Sequence, residues 1–214
     1  MTGGGVFYDI SPALTPGIAV FPGDTPLSCE RLLRVEDGDP VTLSTLHTTV
    51  HVGSHIDGPN HYDAGAGGVE SWSLERCIGP CRVVHVNVQR GECVMPDMLQ
   101  SQWLDQQRVL IATETYPDPT HFNTDFASLH PDTVDWLHQH GVELVGVDTP
   151  SVDPAESTTL DAHQRFRTHG MTILEGLVLS EVPAGVYELI AAPLKLVGFD
   201  GSPVRAVLRA SSGV

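Results

Sequence analysis

Short apolar runs rich in β-branched residues recur along the chain and predict β-strands. They cover residues 83–88, 109–113, 144–147 and 187–190. Each run is only four to six residues long, as is usual for strands that pair within a larger sheet. Between and after them lie segments with the signals of helix ends, and this mixture of elements predicts an α/β fold with a mixed sheet.

Three segments carry those helix signals. Residues 95–106 have Pro at their second position, which suits the first turn of a helix. Residues 132–138 precede Gly141, a residue type that commonly follows a helix end. Residues 161–169 begin with Asp161, which we expect to cap the helix, and Gly170 should close it.

Size and charge restrict the possible functions. The chain has 214 residues, so we expect a single domain over residues 1–214. It has 27 acidic residues and 11 basic ones, for a formal net charge of −16. That charge repels nucleic acids and anionic membranes. A small-molecule substrate, neutral or zwitterionic, is the expected partner.

The sequence gives no signal for export or membrane insertion. Residues 1–5 lack the basic segment and apolar run of a secretory signal. No stretch approaches the roughly 18 apolar residues of a membrane helix. Cys29, Cys77, Cys81 and Cys93 lack CxxC spacing, and we expect Cys77 and Cys81, four residues apart, to be small buried thiols. A cytoplasmic location is therefore expected.

The segment 51–61 has the strongest chemical signal, because it places His51, His55, Asp57 and His61 within eleven positions. Imidazole and carboxylate together suit divalent transition metals such as zinc or manganese. In a straight strand, His51 and His55 would be roughly 13 Å apart at about 3.3 Å per residue, so the chain must bend between them. Gly53 permits such a bend, and we expect a strand that ends in a tight, metal-binding loop.

Seven of the 11 histidines are expected to be ordinary surface or core residues, because isolated histidines seldom bind metal. They are His47, His85, His121, His130, His138, His140 and His169.

The pattern HxGSHxDGPxH at residues 51–61 resembles the HxGTHxDxPxH signature of the metal-dependent cyclase family, whose best-known bacterial branch is kynurenine formamidase (arylformamidase). Ser54 replaces the commoner Thr and keeps a hydroxyl. The similarity extends in order over nearly the whole chain. It includes residues 9–12, 21–26, 79–83, 146–154, 161–163, 173–177, 193–196 and 202–206.

The resemblance implies a site with two divalent ions per subunit, zinc as the first expectation and manganese as the second. His51, His55 and Asp57 would hold one ion. Asp57 and His163 would hold the other, and Glu175 would contact both. Carboxylates can bridge two cations, whereas imidazoles cannot, which agrees with these roles.

The resemblance also implies a fold, an assembly and a reaction. The fold would be a layered β/β/α swivelling-type domain, assembled as a homodimer. A metal-activated water would hydrolyse N-formyl-L-kynurenine to L-kynurenine and formate in tryptophan degradation, with His61 as the proton donor and acceptor. Phe21 would bind the substrate, at a position where arylformamidases typically carry Trp.

Three alternatives stay open. Phe21 is compatible with a hydrolase of cyclic amides such as isatin, from the same family. An Fe(II) oxygenase could use His55, Asp57 and His163 as a two-histidine, one-carboxylate triad. The protein could also bind metal without catalysis.

Overall fold

The computed structural model describes residues 5–102 and 104–210, and its main feature is a nine-stranded mixed sheet. The strand order is β1-β13-β11-β5-β7-β9-β10-β4-β12. These strands are β1 (Phe7–Asp9), β4 (His55–Asp57), β5 (Ile78–His85), β7 (Arg108–Ala112), β9 (Leu144–Val147), β10 (Thr172–Glu175), β11 (Gly185–Ile190), β12 (Gly201–Pro203) and β13 (Val207–Ala210). Two small sheets pair β2 (Ser28–Leu33) with β3 (Leu43–His47), and β6 (Cys93–Val94) with β8 (Ser128–Leu129).

The centre of the large sheet is parallel, with β5, β7, β9 and β10 side by side. Antiparallel strands complete both edges. β7 is buried along its whole length, because apolar groups cover both faces of the sheet. On one face, Val109 and Ile111 pack with side chains from the helices.

On the opposite face, Leu110 belongs to a second apolar cluster. That cluster also contains Ile56 from β4 and Leu208 from β13, which lie near opposite ends of the strand order. The sheet is therefore curled, and the chain forms one α/β domain as the sequence predicts.

The helices confirm part of the sequence analysis and correct the rest. They are α1 (Leu74–Cys77), α2 (Pro96–Gln100), α3 (Pro131–Gln139) and α4 (Asp161–His169). α2 does begin at a Pro, but it ends at Gln100, so the helix predicted for residues 95–106 is too long; position 103 lies outside the described residues. α3 extends the predicted helix by one residue at each end.

The predicted cap of α4 is wrong. Asp161 is the first helical residue, and the capping position is Leu160, in a left-handed conformation with no side-chain cap. The distant carboxylate of Asp153 accepts the first-turn N–H groups instead. Gly170 does end the helix, with φ of 60°.

Several strand limits also differ from the predicted ones. β5 starts at Ile78 and ends at His85, before the predicted limit of residue 88, whereas β9 matches its prediction.

The junction between α1 and β5 surrounds the buried Arg108. Its guanidinium donates to the carbonyls of Arg76 at 2.8 Å and Pro80 at 3.2 Å, and also to that of Glu75.

Two further predictions concern the surface. Cys77 and Cys81 are buried, as expected, whereas Cys93 is partly buried and Cys29 is exposed. Cys29 lies on the β2–β3 hairpin, most of whose side chains face solvent. Within residues 5–102 and 104–210, no helix has the length and apolar character needed to cross a bilayer. Residues 1–4, used for the prediction on export, lie outside the described part.

Candidate metal centre and substrate cavity

The segment 51–61 bends as its glycine predicts. Gly53 has φ of 59°, a conformation that residues with a side chain rarely adopt. The strand β4 follows the bend, so His55 and Asp57 are on the strand and His51 precedes it. The chain then turns through a short 3₁₀ segment, Pro59–His61. The predicted loop is present, with the bend before the strand as well as after it.

Strand pairing brings the remaining residues to this segment. β10 runs antiparallel to β4, and Glu175 lies opposite His55. On the other side of β4, Gly201 lies opposite Asp57. A Cβ at Gly201 would lie 2.9 Å from Cε1 of His51, so the glycine leaves space for that ring. His163 comes from the first turn of α4.

Asp57 is the centre of the resulting cluster. Its Oδ1 lies 3.2 Å from Nδ1 of His51 and 3.6 Å from Nε2 of His55, and its Oδ2 lies 3.5 Å from Nε2 of His163. Nε2 of His55 is 3.2 Å from Oε2 of Glu175. The structure thus brings together all five residues for which metal binding is predicted.

These residues have the chemistry of a cation site. Asp57 is 1% exposed, and neither of its carboxylate oxygens accepts a hydrogen bond from the described residues. A buried carboxylate without donors is costly unless a cation compensates it. Ligand atoms of two sets lie within 4.8 Å of one another, His55–Asp57–Glu175 and His51–Asp57–His61. Asp57 belongs to both sets, so these residues have the donor atoms that a divalent cation requires.

Hydrogen bonds orient the ligand side chains from behind. Nδ1 of His55 lies 2.9 Å from the carbonyl oxygen of Gly53, and Nδ1 of His163 lies 2.6 Å from Oδ2 of Asp153. The backbone N–H of Val152 donates to Oε1 of Glu175 at 2.8 Å. Each contact leaves the other polar atom of the side chain free to face the centre.

The electrostatics reflect the closeness of opposite charges. Burial opposes ionisation of Asp57, but the imidazoles of His163 and His51 hold its pKa well below the usual value. Burial likewise opposes protonation of the imidazoles. Contacts with Asp57 and Asp200 nevertheless raise the pKa of His51 to about 9. Asp153 and Asp57 raise the pKa of His163 to about 10.

His61 has a different environment. Its ring lies 4.3 Å from the ring of His51, and its Nδ1 lies 3.7 Å from Oδ2 of Asp200. Burial lowers the pKa of His61, and the attraction of Asp57 does not offset this. An imidazole with a lowered pKa, in contact with the cavity, is able to accept and return a proton near neutral pH.

A cavity of about 790 Å³ opens onto the cluster. His51, His55, His61, His163 and Glu175 reach its wall. The cavity is large enough for an aromatic amide, since typical small-molecule pockets are roughly 300–1,000 Å³.

Phe21 lines this cavity, as expected of a substrate-binding residue. Its ring meets that of Phe122 edge to face at a centroid distance of 5.1 Å, and Phe122 in turn contacts Tyr116 at 5.9 Å. These three side chains form an aromatic wall on the cavity.

The charged groups on the rest of the wall are acidic. Asp24, Glu114, Asp148 and Asp200 line the cavity, whereas no Lys or Arg from the described ranges does. Oδ2 of Asp148 accepts the N–H groups of Thr113 and Glu114, each at 2.8 Å, and burial raises the pKa of Asp148.

Sequence reasoning missed Asp153, Asp200 and Phe122 as site residues. Asp153 lies in the family-like block 146–154 and Asp200 lies two residues before the block 202–206, but position in or near a block does not tell which ligand a carboxylate contacts. Phe122 could equally have been a core residue. By contrast, Trp72 and Trp136 belong to the packing of the domain: both pack on apolar clusters, and Nε1 of Trp72 donates to the carbonyl of Asp57.

Known proteins share both sequence and fold with this chain. The model of the Cyclase family matches residues 8–154. The chain belongs to the Cyclase family. The matched span includes the whole segment 51–61 and ends before His163 and Glu175. The resemblance seen in the sequence is therefore confirmed at the level of the family.

Solved structures extend the comparison over nearly the whole chain. One is described as a potential metal-dependent hydrolase with cyclase activity; it is 27% identical, with a TM-score of 0.82 over 97% of this chain and 99% of that chain. A predicted metal-dependent hydrolase from Bacillus stearothermophilus is 28% identical, with a TM-score of 0.80 over 95% and 98%. Isatin hydrolase A from Labrenzia aggregata shares the fold at 20% identity, with a TM-score of 0.84 over 97% and 94%.

Proposed function

We propose that this Cyclase-family protein is a metal-dependent amide hydrolase that converts N-formyl-L-kynurenine to L-kynurenine and formate. The observation that carries the proposal is the buried Asp57 carboxylate, which lacks hydrogen-bond donors and is surrounded by His51, His55, His163 and Glu175 beside a large cavity. The two structural relatives described as metal-dependent hydrolases support the same reaction class.

The proposed cofactor is a pair of divalent ions, zinc first and manganese second. His51, His55, Asp57, His163 and Glu175 would hold them. When bound, such ions polarise a carbonyl group and lower the pKa of a water molecule to near neutrality. The inclusion of His51 and Glu175 in one cluster with the other three residues favours a hydrolase over an Fe(II) oxygenase, whose triad would leave them without roles.

The protein's own residues account for the remaining requirements of the reaction. The C–N bond of the formamide breaks, the carbonyl carbon gains a hydroxyl from water, and the amine nitrogen gains a proton. His61 is the proposed proton carrier, because its side chain reaches the cavity and is more exposed than those of the other three histidines of the cluster. Phe21 and Phe122 would bind the aryl group.

The acidic wall supports a substrate that has an ammonium group. Asp24 and Glu114 face the cavity without a Lys or Arg of the described residues beside them there. A free carboxylate alone would be repelled, whereas the α-ammonium group of a zwitterionic kynurenine derivative would be attracted. Hydrolysis of isatin is the second candidate, and Phe21 in place of Trp is the feature that favours it.

Formate release from N-formyl-L-kynurenine tests the proposal, with isatin as a parallel substrate. The purified protein is assayed after chelation and after return of zinc or manganese. We expect turnover that disappears with the metal and returns with it. His61→Ala should lower turnover by about 10²–10⁴-fold and keep the bound metal, whereas His138→Ala, on the exposed surface of α3, should behave as wild type. If the protein hydrolyses isatin but not N-formyl-L-kynurenine, isatin becomes the proposed substrate. If the metal-loaded protein hydrolyses neither, the proposal is refuted.

A further inference from the structure

The block of residues 146–154 has a contact that the proposed reaction does not use. Asp153 is 2% exposed and lies in the segment between β9 and α4. Its Oδ1 accepts the backbone N–H of Ala162 at 2.9 Å, and its Oδ2 accepts the backbone N–H of His163 at 3.0 Å. The same Oδ2 lies 2.6 Å from Nδ1 of His163. One carboxylate therefore binds both the start of α4 and the imidazole ring.

The start of α4 needs this carboxylate because it has no cap of its own. Leu160, at the capping position, has no polar side-chain atom, and it has φ of 50° and ψ of 53°. The first N–H groups of a helix lack partners within the helix, and a nearby anion satisfies them. Capping alone, however, does not explain the short contact with the ring, since a serine or asparagine oxygen also caps helices.

The contact with the ring determines which nitrogen faces the metal cluster. An ionised carboxylate only accepts hydrogen bonds, so Nδ1 of His163 must donate its proton to Asp153. Nε2 of a neutral imidazole then carries the free lone pair. That atom lies 3.5 Å from Oδ2 of Asp57 and 3.9 Å from Oε1 of Glu175.

The neighbouring residue does the same for a second ligand. The backbone N–H of Val152 binds Oε1 of Glu175, so two successive residues orient His163 and Glu175, which belong to different elements. Asp153 itself is fixed further, because its N–H donates to Oγ of Ser151 at 3.1 Å.

We propose that Asp153 is a positioning residue for divalent cation binding: its carboxylate holds His163 with Nδ1 protonated and Nε2 directed at Asp57. The inference rests on the proposed function, in that the cluster must bind a cation. The converse does not hold, because the hydrolase proposal does not require Asp153 to have this role.

Asp153→Asn removes the contact with the ring and keeps one of the two capping contacts of α4. The asparagine oxygen, at the Oδ1 position, can still accept the N–H of Ala162, whereas the N–H of His163 loses its acceptor at the Oδ2 position. Its amide nitrogen would then face Nδ1 of His163 and donate to it, which moves the ring proton to Nε2. We expect the affinity for zinc and for manganese to fall by about 10–100-fold, the usual effect of removing such a partner.

A matched control exists at the contact between α3 and α4. Asp135 accepts from Nε2 of His169 at 2.7 Å, and this pair lies on α3 and at the end of α4, away from the cluster. Asp135→Asn makes the same chemical change to a histidine–aspartate pair and should leave the cation affinity unchanged.

Three measurements decide the outcome. Competition with a chelator gives the dissociation constants of zinc and manganese, and thermal unfolding of the metal-free variants checks that they fold. In the zinc-loaded wild type, the long-range ¹H–¹⁵N spectrum of the imidazoles should show His163 protonated at Nδ1. That spectrum needs no variant, so it tests the proposal even if Asp153→Asn does not fold.

The results test the role of Asp153 and the hydrolase proposal separately. Wild-type cation affinity in folded Asp153→Asn, or a His163 protonated at Nε2 in the zinc-loaded protein, would overturn the role of Asp153 and leave the hydrolase proposal intact. A wild-type protein that binds neither zinc nor manganese would overturn both.

Discussion

A methyl group added at Gly176 should damage the protein more than one added at any open glycine of similar conformation. Gly176 follows Glu175 directly and has φ of 68°. A Cβ at this position would lie 2.2 Å from the carbonyl oxygen of Gly53 and 2.8 Å from its carbonyl carbon. These are backbone atoms, so they cannot rotate away, and the same carbonyl contacts Nδ1 of His55.

Gly170 is the matched control. It has φ of 60°, and a Cβ there would meet nothing within 4 Å. Gly170→Ala therefore has only the cost of a left-handed backbone, about 1–2 kcal/mol. Gly176→Ala has that cost and the displacement of a packed neighbour, about 1–3 kcal/mol more. The expected total for Gly176→Ala is about 2–5 kcal/mol.

Urea denaturation of the metal-free proteins measures the difference. With a urea m-value of about 2–3 kcal/mol per M, an extra loss of 2 kcal/mol lowers the midpoint by nearly 1 M. Gly176→Ala should also bind zinc more weakly, since the Gly53 carbonyl that orients His55 has to move. Equal losses of stability in the two variants would show that the sheet accommodates the methyl group, and the steric reasoning would be wrong.

Three further outcomes follow from the structure. His61→Ala should lower kcat by about 10²–10⁴-fold at unchanged metal content, measured by formate release and elemental analysis; loss of metal would instead make His61 a ligand. Arg108→Met should lower the free energy of unfolding by about 3 kcal/mol, because buried carbonyls lose their donor, and a urea midpoint like that of wild type would contradict this. Burial raises the pKa of Asp148, so the native state binds this proton more tightly than the unfolded chain does. The stability of wild type relative to Asp148→Asn should therefore fall as pH rises from the unfolded to the native pKa of Asp148, and parallel pH profiles would contradict it.

The sequence predicts the site better than it predicts the elements around it. The residues of segment 51–61 are close in sequence, and Gly53 is a sufficient signal for the bend that brings His51 towards Asp57. His163 and Glu175 could be assigned only through the family resemblance, because nothing local indicates that β10 pairs with β4.

The errors in the predicted elements have physical causes. The capping preference of Asp161 is a local rule, and here the remote Asp153 satisfies the N–H groups at the start of α4 instead. The homodimer, the zinc or manganese ions and the cytoplasmic location stay predictions.

The pairing of Glu175 with His55 has a consequence for how the chain folds. The cluster combines positions 51 and 175, which are 124 residues apart, and they meet only after β4 has paired with β10. An unfolded chain therefore cannot gather all five ligands around a cation in the way that short zinc-finger sequences do, although His51, His55 and Asp57 are close in sequence. The slow search for distant strand partners precedes assembly of the complete centre. A cation held by the complete centre would then slow unfolding of the protein without guiding its folding.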